Sequence, residues 1–260
     1  MSGSQMATSY VEQFLAAREH HQHVPPPSET RALSVPEAYE IQDRLREALL
    51  ARGERLIGWK VAFTTRAFQL TYQVQEPASA FLLASGVSAS GMEVPVTRFA
   101  TLGVEAELAF IMRQDLTGPG VSPAHVLRAI DGVLPALELV DIRVSGTPTG
   151  LDLIADGLGA SAIVLGAPLT PMANLDVALE GLVYEHNGAI AGTAAAAEVM
   201  GSPLNSLTWI VNNLGARGLG LRAGDVVMSG SISMMLRPKA GDTVRATFTR
   251  LGSVSVRFVP

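Results

Sequence analysis

Apolar positions recur at three- and four-residue spacing over residues 8–19 and 36–52, where VEQFLAAR and PEAYEIQDRLREALLARG each gather one hydrophobic face. This period predicts two helices, the second opened by Ser34 or Val35 ahead of Pro36 and closed at Gly53. The intervening HHQHVPPPSET reads as a loop, because consecutive prolines withhold the backbone donors a helix needs. From Leu56 the pattern shortens to apolar runs of strand length, separated by Gly, Pro, Ser and Thr. The predicted strands are LIGWKVAF, VEAELAFIM, ALELVDIRV, SAIVLG, LEGLVYEHNGAIAGTA, DVVMSGSISM and DTVRATFTRLGSVSVRFV, with Asn187-Gly188 marking a tight hairpin. Two helical segments interrupt them, SPAHVLRAIDGVLPAL and PLNSLTWIVNNLGARG, the second ending on glycine. Strands without a regular strand–helix alternation predict an α+β fold, with an N-terminal helical segment over residues 1–55 and a strand-rich domain over 56–260.

Composition narrows the function. The 260 residues suffice for a sizeable core, and 48% hydrophobic against 17% charged residues describes a folded chain. A net charge of −5 with no Lys/Arg-rich run leaves no footprint for nucleic acid or an anionic membrane surface. No cysteine is present, so disulfides, thiolate nucleophiles and Cys-based zinc sites are excluded, and any metal must be held by oxygen or imidazole. The opening MSGSQMATSY lacks a basic stretch followed by an apolar one, and windows such as SAIVLGAPL break before the ~20 residues of a membrane span. A cytoplasmic protein is expected.

The unusual feature is acid inside apolar strands. In GVEAELAFIM, Glu105 and Glu107 lie two apart and share one strand face, and Glu138 stands between leucines in PALELVDIRV. Three carboxylates without His or Cys form a hard-oxygen donor set suited to Mg²⁺ or Mn²⁺. On spacing alone, the plainer reading is that Glu105 and Glu107 line the solvated face of an edge strand. Lys60 in LIGWKVAF shares its face with Gly58 and Ala62; it reads either as a solvated edge lysine or as an acid/base beside a metal. His20, His21 and His23 form a surface tract without helical ligand spacing, His186 precedes a hairpin turn and reads as exposed, and GLGLRAG follows a helix and reads as a turn. No G-x-S-x-G, Walker or H-E-x-x-H motif is present.

Taken together and in order, GWKVAFT, VEAELAF, PALELVDIR, LIADGLGASAIVLG, WIVNNLGARGLGLRAGDVVMSGS and LGSVSVRFV resemble segments of the 2-hydroxy-2,4-dienoate hydratases and 4-oxalocrotonate decarboxylases, within the fumarylacetoacetate hydrolase superfamily. The resemblance runs from about Ala38 to the end. It implies a twisted, mixed β-roll or barrel with peripheral helices and an N-terminal helical segment. It further implies Glu105, Glu107 and Glu138 as ligands of Mg²⁺ or Mn²⁺, Lys60, Asp141 and Arg143 as catalytic residues, and Thr64, Asp156 and Ser231 as substrate-binding residues. The implied partner is a small 2-oxo or 2-hydroxydienoic acid, and a homo-oligomer is expected.

Two departures from the family pattern bear on the reaction. Ala78 stands where related hydratases carry an acid, and the family's A-D-N-A-S-S run is here Ala155, Asp156, Gly157, Leu158, Gly159 and Ala160. LTGPGVSPAHVLRAID resembles the decarboxylase branch, whereas QEPASAFLL and PALELVDIRV resemble hydratases. The expectation is therefore a metal-dependent hydratase, with a decarboxylase next and a diverged tautomerase, biosynthetic enzyme or ligand-binding protein as the remaining alternative.

Overall fold

Ser34 opens a helix by accepting from the Glu37 amide while the Glu37 carboxylate accepts from the Ser34 amide, a reciprocal cap followed by proline in the first turn. The computed structural model describes residues 3–260; the first two residues of the polar N-terminal stretch lie outside the described residues. The chain begins with α1 (Gly3–His20) and α2 (Val35–Ala51), then β1 (Leu56–Ala62), α3 (Arg66–Thr71), β2 (Ala78–Leu83), β3 (Val87–Ala89) and β4 (Glu93–Pro95). It continues through β5 (Leu102–Met112), α4 (Pro123–Ala129), β6 (Ile130–Asp141), α5 (Gly150–Ala155), β7 (Ala160–Leu165), β8 (Gly181–His186) and β9 (Ala189–Ala195). The last elements are α6 (Pro203–Ala216), β10 (Val226–Met228), β11 (Thr243–Phe248) and β12 (Gly252–Val259).

The fold is α+β, with two mixed sheets. Seven strands run in the order β2-β1-β10-β5-β6-β7-β3 and five in the order β4-β12-β11-β8-β9. Asn187 and Gly188, both at positive φ, make the expected hairpin between β8 and β9. The long strands β5 and β6 pair antiparallel from Leu102↔Asp141 to Met112↔Ile130. Val104, Ala106, Leu108 and Phe110 of β5 enter the main core, which also takes Phe14 of α1, Leu45 of α2, Trp59 of β1 and Tyr184 of β8. Ala109 lies on the opposite face of β5, in a smaller apolar cluster with Ala136, Val226 and Met228.

Three expectations are corrected. The segment SPAHVLRAIDGVLPAL is helical only to Ala129; from Ile130 it is strand, because its apolar residues are buried on both faces and pairing with β5 satisfies them. In DVVMSGSISM only Val226–Met228 is strand. The glycine and serines that follow leave the regular ladder yet run beside β5, with Ser229 donating to Leu108, Ile232 to Ala106, and Leu236 exchanging bonds with Val104. Finally, β5 is no edge: it lies in the middle of the seven-stranded sheet, so Glu105 and Glu107 do not line a solvated strand edge.

Candidate functional site

Strand register brings the charged residues together. Lys60 of β1 pairs with Met228 of β10, Met228 pairs with Ala109 of β5, and Glu107 and Glu105 follow on that face at two-residue intervals. Glu105 in turn faces Glu138 of β6. One ligand oxygen from each of Glu105, Glu107 and Glu138 lies within 4.8 Å of the others. Lys60 is buried rather than an exposed edge residue, and its Nζ donates to Glu138 Oε1 at 2.6 Å. The Gly230 amide donates to Glu107 Oε2 at 2.9 Å, whereas Glu138 Oε2 is buried with no hydrogen-bond partner.

The electrostatics of this cluster are unbalanced. Burial, then the charge of Glu138, pushes the Glu105 carboxyl up to about 7, against the opposing effect of Lys60. Burial likewise raises the Glu107 carboxyl well above the usual range, with Glu138 and Glu105 adding to it. Burial alone would lower the Lys60 ammonium, but the three carboxylates, Glu138 foremost, outweigh it and raise its pKa. One ammonium does not compensate three acids, two of them buried and the third half-buried. An orphaned carboxylate oxygen, converging hard-oxygen donors and surplus negative charge together fit a divalent cation.

A cavity of about 300 Å³ opens beside the cluster, at the small end of the range for ligand pockets. Lys60, Glu105 and Glu138 line it, as do Thr64, Asp141, Arg143, Asp156 and Ser231; Glu107 lies behind them. Arg143 is buried and grips Asp156 with two bonds, Nε to Oδ1 at 3.0 Å and Nη2 to Oδ2 at 2.9 Å, while Nη1 donates to Asp141 Oδ2 at 3.1 Å. Asp141 Oδ1 accepts from the Ala100 and Thr101 amides. Burial opposes the Arg143 charge, but Asp156 and Asp141 more than restore it and raise its pKa. Ser231 Oγ donates to the Ser233 carbonyl. Thr64 abuts Gly230, where a Cβ would come within 2.5 Å of Thr64 Cγ2 and the φ of +109° favours glycine.

Several pocket residues carried no pattern in the sequence. Phe63, Phe68 and Tyr72 form an aromatic wall, with Phe63–Tyr72 centroids 5.2 Å and Phe68–Tyr72 centroids 6.4 Å apart. Arg18 of α1 donates to the carbonyls of Asp156 and Ala160, tying the N-terminal helix to the wall that holds Arg143. Arg237 lines the cavity from an exposed position. Ala78 is buried opposite Ala62 and does not line the cavity, so no acid reaches the pocket from that position. Of the residues set aside, His21 and His23 are exposed, and His186 is half-buried against Asp242 Oδ2 at 2.9 Å rather than free in solvent.

A family model described as fumarylacetoacetate (FAA) hydrolase C-terminal matches residues 57–259. A 2-hydroxyhexa-2,4-dienoate hydratase of Comamonas testosteroni is 32% identical, covering 87% of this chain and 87% of that protein. A 2-oxo-hept-4-ene-1,7-dioate hydratase of Escherichia coli is also 32% identical, over 87% of this chain and 88% of the relative. Among solved structures, 4-oxalocrotonate decarboxylase from Pseudomonas putida G7, complexed with magnesium and adipate, superimposes with a TM-score of 0.95 at 27% identity, covering 100% of this chain and 99% of that one.

Proposed function

The chain belongs to the fumarylacetoacetate hydrolase family, and on that premise we propose that it is a divalent-metal-dependent lyase. The proposed reaction adds water to a 2-hydroxy-2,4-dienoate to give a 4-hydroxy-2-oxo acid. The observation that carries this reading is the meeting of Glu105, Glu107 and Glu138 beside Lys60 at the inner wall of a small cavity. Relatives named as dienoate and oxo-enedioate hydratases support the reaction class.

The three glutamates would hold Mg²⁺ or Mn²⁺, the former being the ion in the similar decarboxylase structure. Bound there, the ion supplies Lewis-acid stabilisation of negative charge on the oxygens of a 2-oxo acid. Lys60, an ammonium at the cavity wall, would stabilise negative charge on the substrate or relay a proton to the dienol. Arg143, oriented by Asp156 and by Asp141, whose own carboxylate is fixed by the Ala100 and Thr101 amides, would present positive charge to the substrate. Thr64 and Ser231 contribute hydroxyls beside it. We assign this site to a catalytic domain over residues 56–260 and read 1–55 as an N-terminal helical segment, from which Arg18 bonds the Asp156 carbonyl. A cysteine-free, homo-oligomeric enzyme of a reducing cytoplasm completes the reading.

The second reading is decarboxylation of a 4-oxalocrotonate-type acid. It is favoured by the close superposition on a decarboxylase and by Ala78, which supplies no acid for activating water. The test is to mix Mg²⁺-loaded protein with 2-hydroxypenta-2,4-dienoate and with 4-oxalocrotonate, following loss of ultraviolet absorbance and release of carbon dioxide separately. Absorbance loss without gas identifies the hydratase; gas release identifies the decarboxylase; neither change on either substrate rejects both.

A further inference from the structure

The positive charges of the cavity are committed with one exception. Lys60 is bonded to Glu138, and Arg143 is divided between Asp156 and Asp141. Arg237 also lines the cavity, and among the described residues it has neither a carboxylate nor a carbonyl partner. The backbone fixes its place: Leu236 exchanges two hydrogen bonds of 2.9 Å with Val104, the residue just before Glu105. Arg237 is exposed at that point and lines the same cavity as Glu105 and Glu138, together with Met235 and Ser231 of its own segment.

Charge counting gives this spare guanidinium a task. At the inner wall Lys60 and the proposed cation are matched by the three glutamates, and Arg143 is matched by Asp141 and Asp156, so neither group offers a spare positive charge to a second carboxylate. We propose that Arg237 anchors a second carboxylate at the far end of the substrate, so that the preferred substrate is a dicarboxylic 2-oxo or 2-hydroxydienoic acid and not a monoacid. Guanidinium and carboxylate form paired, charge-assisted hydrogen bonds. The aromatic wall of Phe63, Phe68 and Tyr72 suits the carbon chain between two charged ends. The anchor also bears on reaction type. An ion pair stabilises the distal group as a carboxylate, whereas decarboxylation must release that group as neutral carbon dioxide, its bonding electrons passing into the chain. Arg237 thus favours retention of the distal acid and addition of water.

This inference rests on reading the site as one for 2-oxo acids, and its test separates the two. Isothermal titration of the Mg²⁺-loaded protein with 2-oxohexanedioate and with 2-oxohexanoate measures binding without requiring turnover. The wild type should bind the diacid about tenfold more tightly. Arg237→Gln should bring that ratio to about one while moving the monoacid Kd by less than about twofold, with an unchanged thermal midpoint as the folding control. A wild type without preference, a preference that survives in Arg237→Gln, an equal loss for both acids, or no binding of either overturns the anchor and leaves Arg237 a solvated charge. Diacid preference that Arg237→Gln abolishes, in a protein that adds no water to any dienoate, upholds the anchor and rejects the hydratase reading instead.

Discussion

Glu105 on β5 and Glu138 on β6 are direct cross-strand partners, so the longest pairing in the molecule sets two acids face to face. Like charges at that register work against the sheet, and the burial of Glu138 with the desolvation of half-buried Glu105 aggravates the repulsion. The sheet tolerates them because Lys60 covers one side and, in the proposed holoenzyme, a cation covers the other. Glu105→Gln should therefore act in opposite directions on the two forms. The metal-free variant should gain about 2–4 °C in Tm for each kcal/mol of repulsion removed. The rise in Tm that Mg²⁺ gives the wild type should be largely lost. Differential scanning calorimetry with and without Mg²⁺ checks both; a Tm that falls equally in both conditions contradicts the cation site.

Lys60→Met tests the ammonium. Removing it leaves Glu138 buried with neither oxygen partnered, a change that costs about 3–5 kcal/mol when one member of a buried pair is deleted. Urea titration of the metal-free variant should show this loss, and Mg²⁺ should restore part of it. Turnover should stay at least about a hundredfold down even with saturating metal, as expected when a proton-transfer group is removed.

Arg143→Ala should be among the most damaging substitutions, because it strands Asp141 and Asp156 together in the buried wall. The expected loss is again about 3–5 kcal/mol. Arg143→Lys keeps the charge but loses the two-point grip on Asp156, so it should recover part of the stability and little of the substrate affinity. Comparing the two variants by denaturant unfolding and by KM separates support from binding.

A pH effect is expected far from the site. Bonds from Asn187, the Lys239 amide and His186 hold the Asp242 carboxyl down at about 2, below its ordinary value of 3.8. A depressed folded-state pKa means the stabilisation is complete above about pH 4 and is lost as pH falls through the window down to about 2. Asp242→Ala should accordingly be less stable than the wild type near neutrality, and the difference should shrink across that window. Urea titrations at pH 6, 4, 3 and 2 measure it.

The sequence made some of this legible and hid the rest for physical reasons. Alternation on β5 was enough to put Glu105 and Glu107 on one face, since a strand has no other option. Their solvated-edge reading failed because strand order is a tertiary property: nothing in VEAELAF announces that β10 and β6 flank it. Ile130 onward looked helical because a run buried on both faces satisfies either period, and only pairing with β5 decides between them. The roles of Lys60 and the three glutamates came from the ordered resemblance of six segments, and the register places those four residues on one face. Tyr72 and Arg237, which line the cavity, and Arg18, which braces the Asp156 carbonyl in its wall, had no motif to betray them, because each comes from an element whose own periodicity is unrelated to the site.

The irregular stretch from Ser229 to Arg237 offers the Gly230 amide to Glu107 near its start and lines the cavity with Ser231, Met235 and Arg237. It is bonded to β5 through Ser229, Ile232 and Leu236 and takes no part in the ladder between β5 and β6. A side chain changed at Ser231, Met235 or Arg237 would therefore reshape the cavity while the register that sets Glu105 against Glu138 stays as it is.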